Sequence, residues 1–256
     1  MAFDIQGAAR ALARDHRENR RFEAIAGLPD LAAAYRVQDA YVAGMAGDDP
    51  VVGYKIGLTS QQMQSMCGIS HPIAGVVLGS RVMHSGARLR FSDYGRLGLE
   101  FEICARLGRD LPPRPTPYTR AEIAAAIDGV CAAMELVDDR NADYATLDVA
   151  SLVADNSWNA GIVLGEFVTP PADLAQVTAI ACLDGVEIGR GVGADALGHP
   201  YETLVWLSGH LGADGRGLKA GDLVMTGSLV RTCFPDKAFA YRFDVAGVSG
   251  VEVSGG

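Results

Sequence analysis

Glu100 and Glu102 are separated by one residue in Leu97-Gly98-Leu99-Glu100-Phe101-Glu102-Ile103-Cys104-Ala105, a run that alternates cleanly. On a β-strand this alternation sends Leu97, Leu99, Phe101, Ile103 and Ala105 to one face and both carboxylates to the other, roughly 7 Å apart. Like charges on one face repel. A hard divalent cation relieves the repulsion, because Mg²⁺ and Mn²⁺ prefer oxygen ligands. The same spacing also serves a half-exposed strand with an acidic outer face, and spacing alone leaves both readings open. Glu135 is the natural third carboxylate. It sits in Val130-Cys131-Ala132-Ala133-Met134-Glu135-Leu136-Val137, where apolar neighbours imply burial. A buried glutamate must be protonated, paired or metal-bound, so a salt bridge to Arg140 or another cation is the competing account.

Lys55 lies in Val51-Val52-Gly53-Tyr54-Lys55-Ile56-Gly57, with glycines on its own face that leave room for a ligand beside the ammonium. Such a lysine holds a carboxylate, or shuttles a proton if its pKa falls. A surface lysine laying its stem along apolar neighbours has the same pattern. Two polar turns adjoin buried runs. Asp155-Asn156-Ser157-Trp158-Asn159-Ala160-Gly161 enters Ile162-Val163-Leu164, and the run from Gly221 ends in Thr226, Ser228 and Arg231, whose hydroxyls and guanidinium suit a carboxylate. Other motifs fail. Gly189-Arg190-Gly191-Val192-Gly193 lacks the helix and spaced acid of a dinucleotide fingerprint, and Val248-Ser249-Gly250 is no nucleophile elbow. His16, His71, His84, His199 and His210 show no metal-ligand spacing.

The elements that must position these groups fall into two parts. Residues 1–50 read as a helical N-terminal cap, with one amphipathic helix from Ile5 to about Arg21 and another over Asp30–Met45, Asp30 serving as N-cap. Residues 51–256 read as a larger mixed β domain. Its strands are Val51–Ile56, Gly75–Leu78, Leu97–Leu107, Gly161–Leu164, Val177–Leu183, Asp222–Thr226 and Phe239–Val245. Two helices interrupt them, one opening at Thr119 with Glu122 completing a capping box and one over Pro200–Leu211.

The chain has 256 residues, enough for one substantial core, and its net charge of −9 gives no electrostatic case for nucleic acid or an anionic membrane. The five cysteines are odd in number and widely spaced, as expected of reduced core residues rather than a disulfide framework. No long apolar run suggests a bilayer span, and the N-terminus lacks a signal peptide's apolar stretch, so a cytoplasmic location is expected.

Together the segments resemble the 2-keto-4-pentenoate hydratase family of the fumarylacetoacetate hydrolase superfamily. The matching stretches are Gly53–Ser60, Glu100-x-Glu102, Glu135-Leu136-Val137-Asp138, Asp155-Asn156, Gly198-His199-Pro200 with Trp206-Leu207, and Thr226-Gly227-Ser228, in the family's order. The resemblance implies an α+β fold, a mainly antiparallel β-roll, in a homo-oligomer that can associate with a related enzyme. It implies Mg²⁺ or Mn²⁺ on Glu100, Glu102 and Glu135, with Lys55, Asn156 and Asn159 catalytic and Thr59, Ser228 and Arg231 on the substrate. The implied reaction is that of a lyase in aromatic compound catabolism, hydration of a 2-hydroxy-2,4-dienoate to a 4-hydroxy-2-oxo acid. Decarboxylation of a 4-oxalocrotonate-type acid, or a catalytically idle hydratase-like partner, is the alternative. The Asn156/Asn159 and Ser228/Arg231 pattern looks more like the members that act on dicarboxylic substrates. Gly79, where hydratases typically carry an acid, is a departure bearing on the base chemistry.

Overall fold

The apolar alternation of the chain's strands leaves two sheets that each need a covered face, and in the computed structural model, which describes residues 2–256, they cover one another. In chain order the elements are α1 (Ile5–Arg17), α2 (Leu31–Ala46), β1 (Val51–Gly57), α3 (Gln61–Met66), β2 (Ile73–Leu78), β3 (Val82–His84), β4 (Ala87–Leu89) and β5 (Leu97–Leu107). Then follow α4 (Arg120–Ala124), β6 (Ile127–Asp138), α5 (Val149–Ala154), β7 (Asn159–Leu164), β8 (Thr178–Leu183), β9 (Val186–Val192) and α6 (Pro200–Ala213). The chain closes with β10 (Leu223–Met225), β11 (Val230–Cys233), β12 (Phe239–Val245) and β13 (Gly250–Gly255).

The larger sheet runs β2-β1-β10-β5-β6-β7-β3 with β11 also on β5, and the smaller runs β4-β13-β12-β8-β9. Pairing is antiparallel except for β1–β10, β4–β13 and β3–β7. The α+β, mainly antiparallel reading of the sequence is the observed architecture.

The long strands β5 and β6 form the spine. Leu97, Leu99, Phe101, Ile103 and Ala105 face the smaller sheet and α6, where Phe101 meets Tyr241 and Phe243 at ring separations of 5.7 and 5.5 Å. Burying a side chain of this size contributes about 2–3 kcal/mol. The opposite face carries the acids and, at one end, packs under α1, α2 and α5 through Leu12, Val37, Tyr41, Leu152 and Trp158. Gln38 of α2 is buried and donates to the carbonyls of Ala74 on β2 (2.9 Å) and Val153 on α5 (2.7 Å), so the helical layer is bonded to the sheet rather than merely laid on it.

The Asp30 N-cap forms, accepting from Ala33 N–H at 2.7 Å, and the Thr119–Glu122 capping box is present. Several expectations shift. The first helix stops at Arg17, because Asn19 turns into the left-handed region (φ 49°). The short helices α3 and α5 carry no long periodic signal. The glycine run at 189–193 belongs to β9 and its exit, where a Cβ at Gly191 would lie 2.0 Å from the Leu229 carbonyl, so close packing explains it. Of the cysteines, Cys104 and Cys131 face each other in the core across β5 and β6, but Cys67, Cys182 and Cys233 are partly exposed. Among the described residues no helix is long and apolar enough to cross a membrane.

Candidate active site

Register creates the acidic cluster. Glu100 on β5 pairs directly with Glu135 on β6, and Glu102 lies one pleat further along the same face. One carboxylate oxygen from each of the three falls within 4.8 Å of the others, with Glu102 and Glu135 fully buried and Glu100 partly so. Each acid spends an oxygen on the protein. Glu100 Oε1 accepts from the Thr232 hydroxyl (2.9 Å), Glu102 Oε2 from Gly227 N–H (2.7 Å), and Glu135 Oε1 from Asn159 Nδ2 (2.9 Å). The second oxygens of Glu102 and Glu135 are buried with no partner at all. Buried orphan carboxylate oxygens are rare and demand a reason, and hard oxygen donors that converge are what Mg²⁺ or Mn²⁺ takes. The donor set therefore fits a divalent cation, and Glu100, Glu102 and Glu135 would hold it.

Lys55 completes the cluster. Strand β10 is three residues long and ends at Met225, level with Lys55, where the chain leaves the sheet as Thr226-Gly227-Ser228. Past that short strand Lys55 Nζ reaches Glu135 Oε1 at 3.2 Å, with the lysine side chain only 5% exposed. Burial alone would lower the Lys55 pKa, but the charges of Glu135, then Glu100 and Glu102, outweigh it and hold the ammonium above its usual value. Burial pushes Glu135 up to about 7, with Lys55 opposing and Glu100 adding to the rise. Glu102 is likewise held above the usual carboxylate range, through burial and then the neighbouring Glu135 and Glu100. The competing sequence account of Glu135 is thus half met, since its cation is Lys55. Arg140 is instead buried against Asp155, which also meets His16 Nε2 at 2.5 Å.

Gly227 stands at φ +104°, and a Cβ there would come within 2.4 Å of Thr59 Oγ1. No other residue puts its N–H on Glu102 at this position with Thr59 so close. Asn156, Ser157 and Trp158 are three consecutive residues with left-handed φ (49°, 50° and 61°), strain that persists only where surroundings enforce it. The enforcing bonds are visible: Asn156 accepts from Val76 N–H (2.8 Å) and donates to its carbonyl (2.9 Å), and the Ser157 hydroxyl donates to the Ala74 carbonyl (3.1 Å).

A cavity of about 410 Å³ opens on the cluster and contains Lys55, Thr59, Glu100, Ser228 and Arg231 among its lining residues. This size is usual for a small-molecule site. Asn159 and Asn156 instead border a separate polar cavity behind the cluster, so the structure does not bring them into the chamber with Lys55. The Ser228 hydroxyl accepts from Phe101 N–H and donates to the Val230 carbonyl, so it fixes its own loop. Arg231 is exposed at the chamber mouth. Gly79 lies outside the chamber, with Asp49, Pro50 and Val52 nearest to where its Cβ would stand, so an acid missing there is not missing from this site. Sequence reasoning missed Thr232, Ile73, Leu152, Trp158 and Tyr144. Thr232 carries a signal in the alternation of β11, whereas the others are assembled from distant segments.

This combination of fold and site defines a known class. The chain matches the fumarylacetoacetate (FAA) hydrolase C-terminal family over residues 58–248, and it belongs to that family. Among its relatives is a 2-hydroxyhexa-2,4-dienoate hydratase of Comamonas testosteroni, 33% identical over 216 residues, which span 80% of this chain and 81% of that protein. A 4-oxalocrotonate decarboxylase of a Pseudomonas species is 28% identical over 203 residues, 79% of this chain and 78% of that one. The fold is also that of the 4-oxalocrotonate decarboxylase from Pseudomonas putida G7, solved with magnesium and adipate. The two superpose with a TM-score of 0.91 over 98% of this chain and 97% of that one, at 23% identity.

Proposed function

We propose that this protein is a divalent-metal-dependent hydro-lyase that adds water to a 2-hydroxy-2,4-dienoate and yields a 4-hydroxy-2-oxo acid. The observation that carries the proposal is the pair of orphan oxygens on Glu102 and Glu135, clustered with Glu100 and a buried, protonated Lys55, the last two of which line the chamber. The hydratase relative and the magnesium in the Pseudomonas putida decarboxylase structure support it. When bound, Mg²⁺ or Mn²⁺ supplies Lewis-acid polarisation of a chelated 2-oxo acid.

The chain's own residues do the rest. Lys55 holds a proton on Nζ at the chamber wall, where it transfers that proton to the substrate or pairs with charge developing on the C2 oxygen. Asn159 fixes Glu135 Oε1. Asn156 acts at one remove, by bonding the strained 156–158 segment to β2. Thr59 borders the C1 end, Ser228 shapes the wall, and Arg231 attracts the anionic substrate at the mouth. Assembly into a homo-oligomer belongs to the same proposal.

One observation favours a second reading, decarboxylation of a 2-oxo-3-enedioate. Among the described residues lining the chamber, the carboxylate besides Glu100 is Asp195, exposed at the mouth and bonded to Val192 N–H (2.8 Å). Loss of CO₂ needs a proton for carbon, which Lys55 carries, but no base to activate water.

Ultraviolet monitoring of 2-hydroxypenta-2,4-dienoate with Mg²⁺, Mn²⁺ or a chelator tests the main reading. Metal-dependent consumption with a 4-hydroxy-2-oxo product supports it. Inertness toward the dienoate together with CO₂ release from the diacid replaces it with the second.

A further inference from the structure

The chamber beside Lys55 has two unlike ends. Toward the acids it offers Lys55, Thr59 and Glu100. Its floor is made by Ile73 (1% exposed), Val137 (5%), Leu152 (5%) and Trp158 (7%), side chains that also belong to the core beneath the helical layer. Ile73 stands close to the lysine's end of the chamber, for a Cβ on Gly57 would lie 3.4 Å from Lys55 Nζ and 3.4 Å from Ile73 Cγ1.

Four hydroxyls of this lining, those of Ser157, Tyr144, Ser228 and Thr232, are already engaged. The Ser157 hydroxyl donates to Ala74, Tyr144 to Asp139 Oδ2 (3.0 Å), Ser228 to Val230, and Thr232 to Glu100. Trp158 Nε1 has no partner, but it is a single neutral N–H. Arg231, the lining cation besides Lys55, is exposed, unlike the buried side chains of the floor. A carboxylate carried to this floor would lose its hydration and find no cation there.

We infer that the chamber selects 2-oxo and 2-hydroxydienoic acids whose tail is an uncharged hydrocarbon, seated on Ile73, Val137, Leu152 and Trp158, and rejects those ending in a second carboxylate. This rests on the proposed metal-dependent 2-oxo acid chemistry and narrows its substrate class. It reverses the dicarboxylate expectation drawn from Ser228 and Arg231, because exposure at the mouth leaves Arg231 unable to follow a tail to the floor.

The test uses unreactive 2-oxo acids, so that it does not depend on turnover. Binding of 2-oxohexanoate and of 2-oxoadipate to the Mg²⁺-loaded protein is measured by calorimetry. The two differ only in a terminal methyl or carboxylate. The expected result is tighter binding of 2-oxohexanoate by at least about tenfold. Equal binding, or a preference for 2-oxoadipate, overturns the inference. Leu152→Arg should shrink the ratio, and Leu147→Arg, at a partly exposed lining position that tolerates charge, guards against a misfolded first variant. A ratio unchanged in folded forms of both variants places the tail elsewhere and also overturns it. Failure of both acids to bind overturns the underlying metal chemistry as well. A dienoate that binds with the hydrocarbon preference but is not hydrated contradicts the hydratase reading alone.

Discussion

Lys55 Nζ lies 3.2 Å from Glu135 Oε1, an ion pair with both side chains out of solvent. The same carboxylate oxygen accepts the Asn159 amide at 2.9 Å, which leaves Oε2 directed to no protein group. Three acids and one lysine therefore share a volume with little water to screen them, a donor set that fits a divalent cation. The ion pair also explains why a lysine so deeply buried keeps its proton: neighbouring carboxylates outweigh the loss of hydration.

Lys55→Met removes the proton carrier without touching the carboxylates. Turnover of the dienoate should fall by about 10²- to 10⁴-fold, the usual worth of general acid–base catalysis. Mn²⁺ binding by equilibrium dialysis should persist, because the variant loses a positive charge from the cluster. Full activity in the variant would remove Lys55 from the mechanism.

Protons and metal should compete. Without metal, Glu135 is raised to about 7 from its ordinary 4.5. In that window the folded chain binds more protons than the unfolded one, so metal-free stability should fall as pH rises from about 4.5 to about 7. Metal binding releases those protons. The melting-temperature increase produced by Mg²⁺ should therefore grow with pH across the same range. A pH-independent increase would show that Glu135 does not titrate with metal binding.

Asn159→Ala deletes the bond that orients Glu135 and leaves the other two acids in place. Losing such a supporting bond typically weakens metal affinity about 10- to 100-fold. The metal concentration for half-maximal activity should rise accordingly, and saturating Mg²⁺ should restore most of the rate. A loss of rate that no metal concentration repairs would assign Asn159 a direct role on substrate.

Much of this site is written locally, and some of it is not. The period-2 pattern of 97–107 locates Glu100 and Glu102 on one face, and the Asp30 and Thr119 caps start their helices where the side chains say they should. What short-range patterns do not contain is register. That Glu135 sits opposite Glu100, or that β10 stops level with Lys55, depends on residues far apart in the chain. Trp158 was hidden for a related reason. Its left-handed backbone is imposed by bonds to β2, about 80 residues earlier, and not by its own preferences. Asn156 and Ser228 show the complementary error, since polar side chains at strand ends looked free and are spent on backbone groups.

The buried Arg140–Asp155 pair ties the 138–141 turn to the segment that carries Asn156 and Trp158, and His16 of α1 meets the same carboxylate. Asp155→Ala leaves a fully enclosed guanidinium without its counterion. Urea unfolding should show a loss of about 3–5 kcal/mol, the usual result of breaking one side of a buried pair. A change below about 1 kcal/mol would mean that Arg140 finds solvent or another acceptor.

The central claim is that Glu100, Glu102 and Glu135 together hold one divalent cation. Anomalous diffraction from crystals grown with Mn²⁺ tests it most directly. The account predicts one strong manganese peak per chain among the three carboxylates, lost in Glu102→Gln. No peak there in crystals of a protein whose activity survives thorough chelation would contradict it.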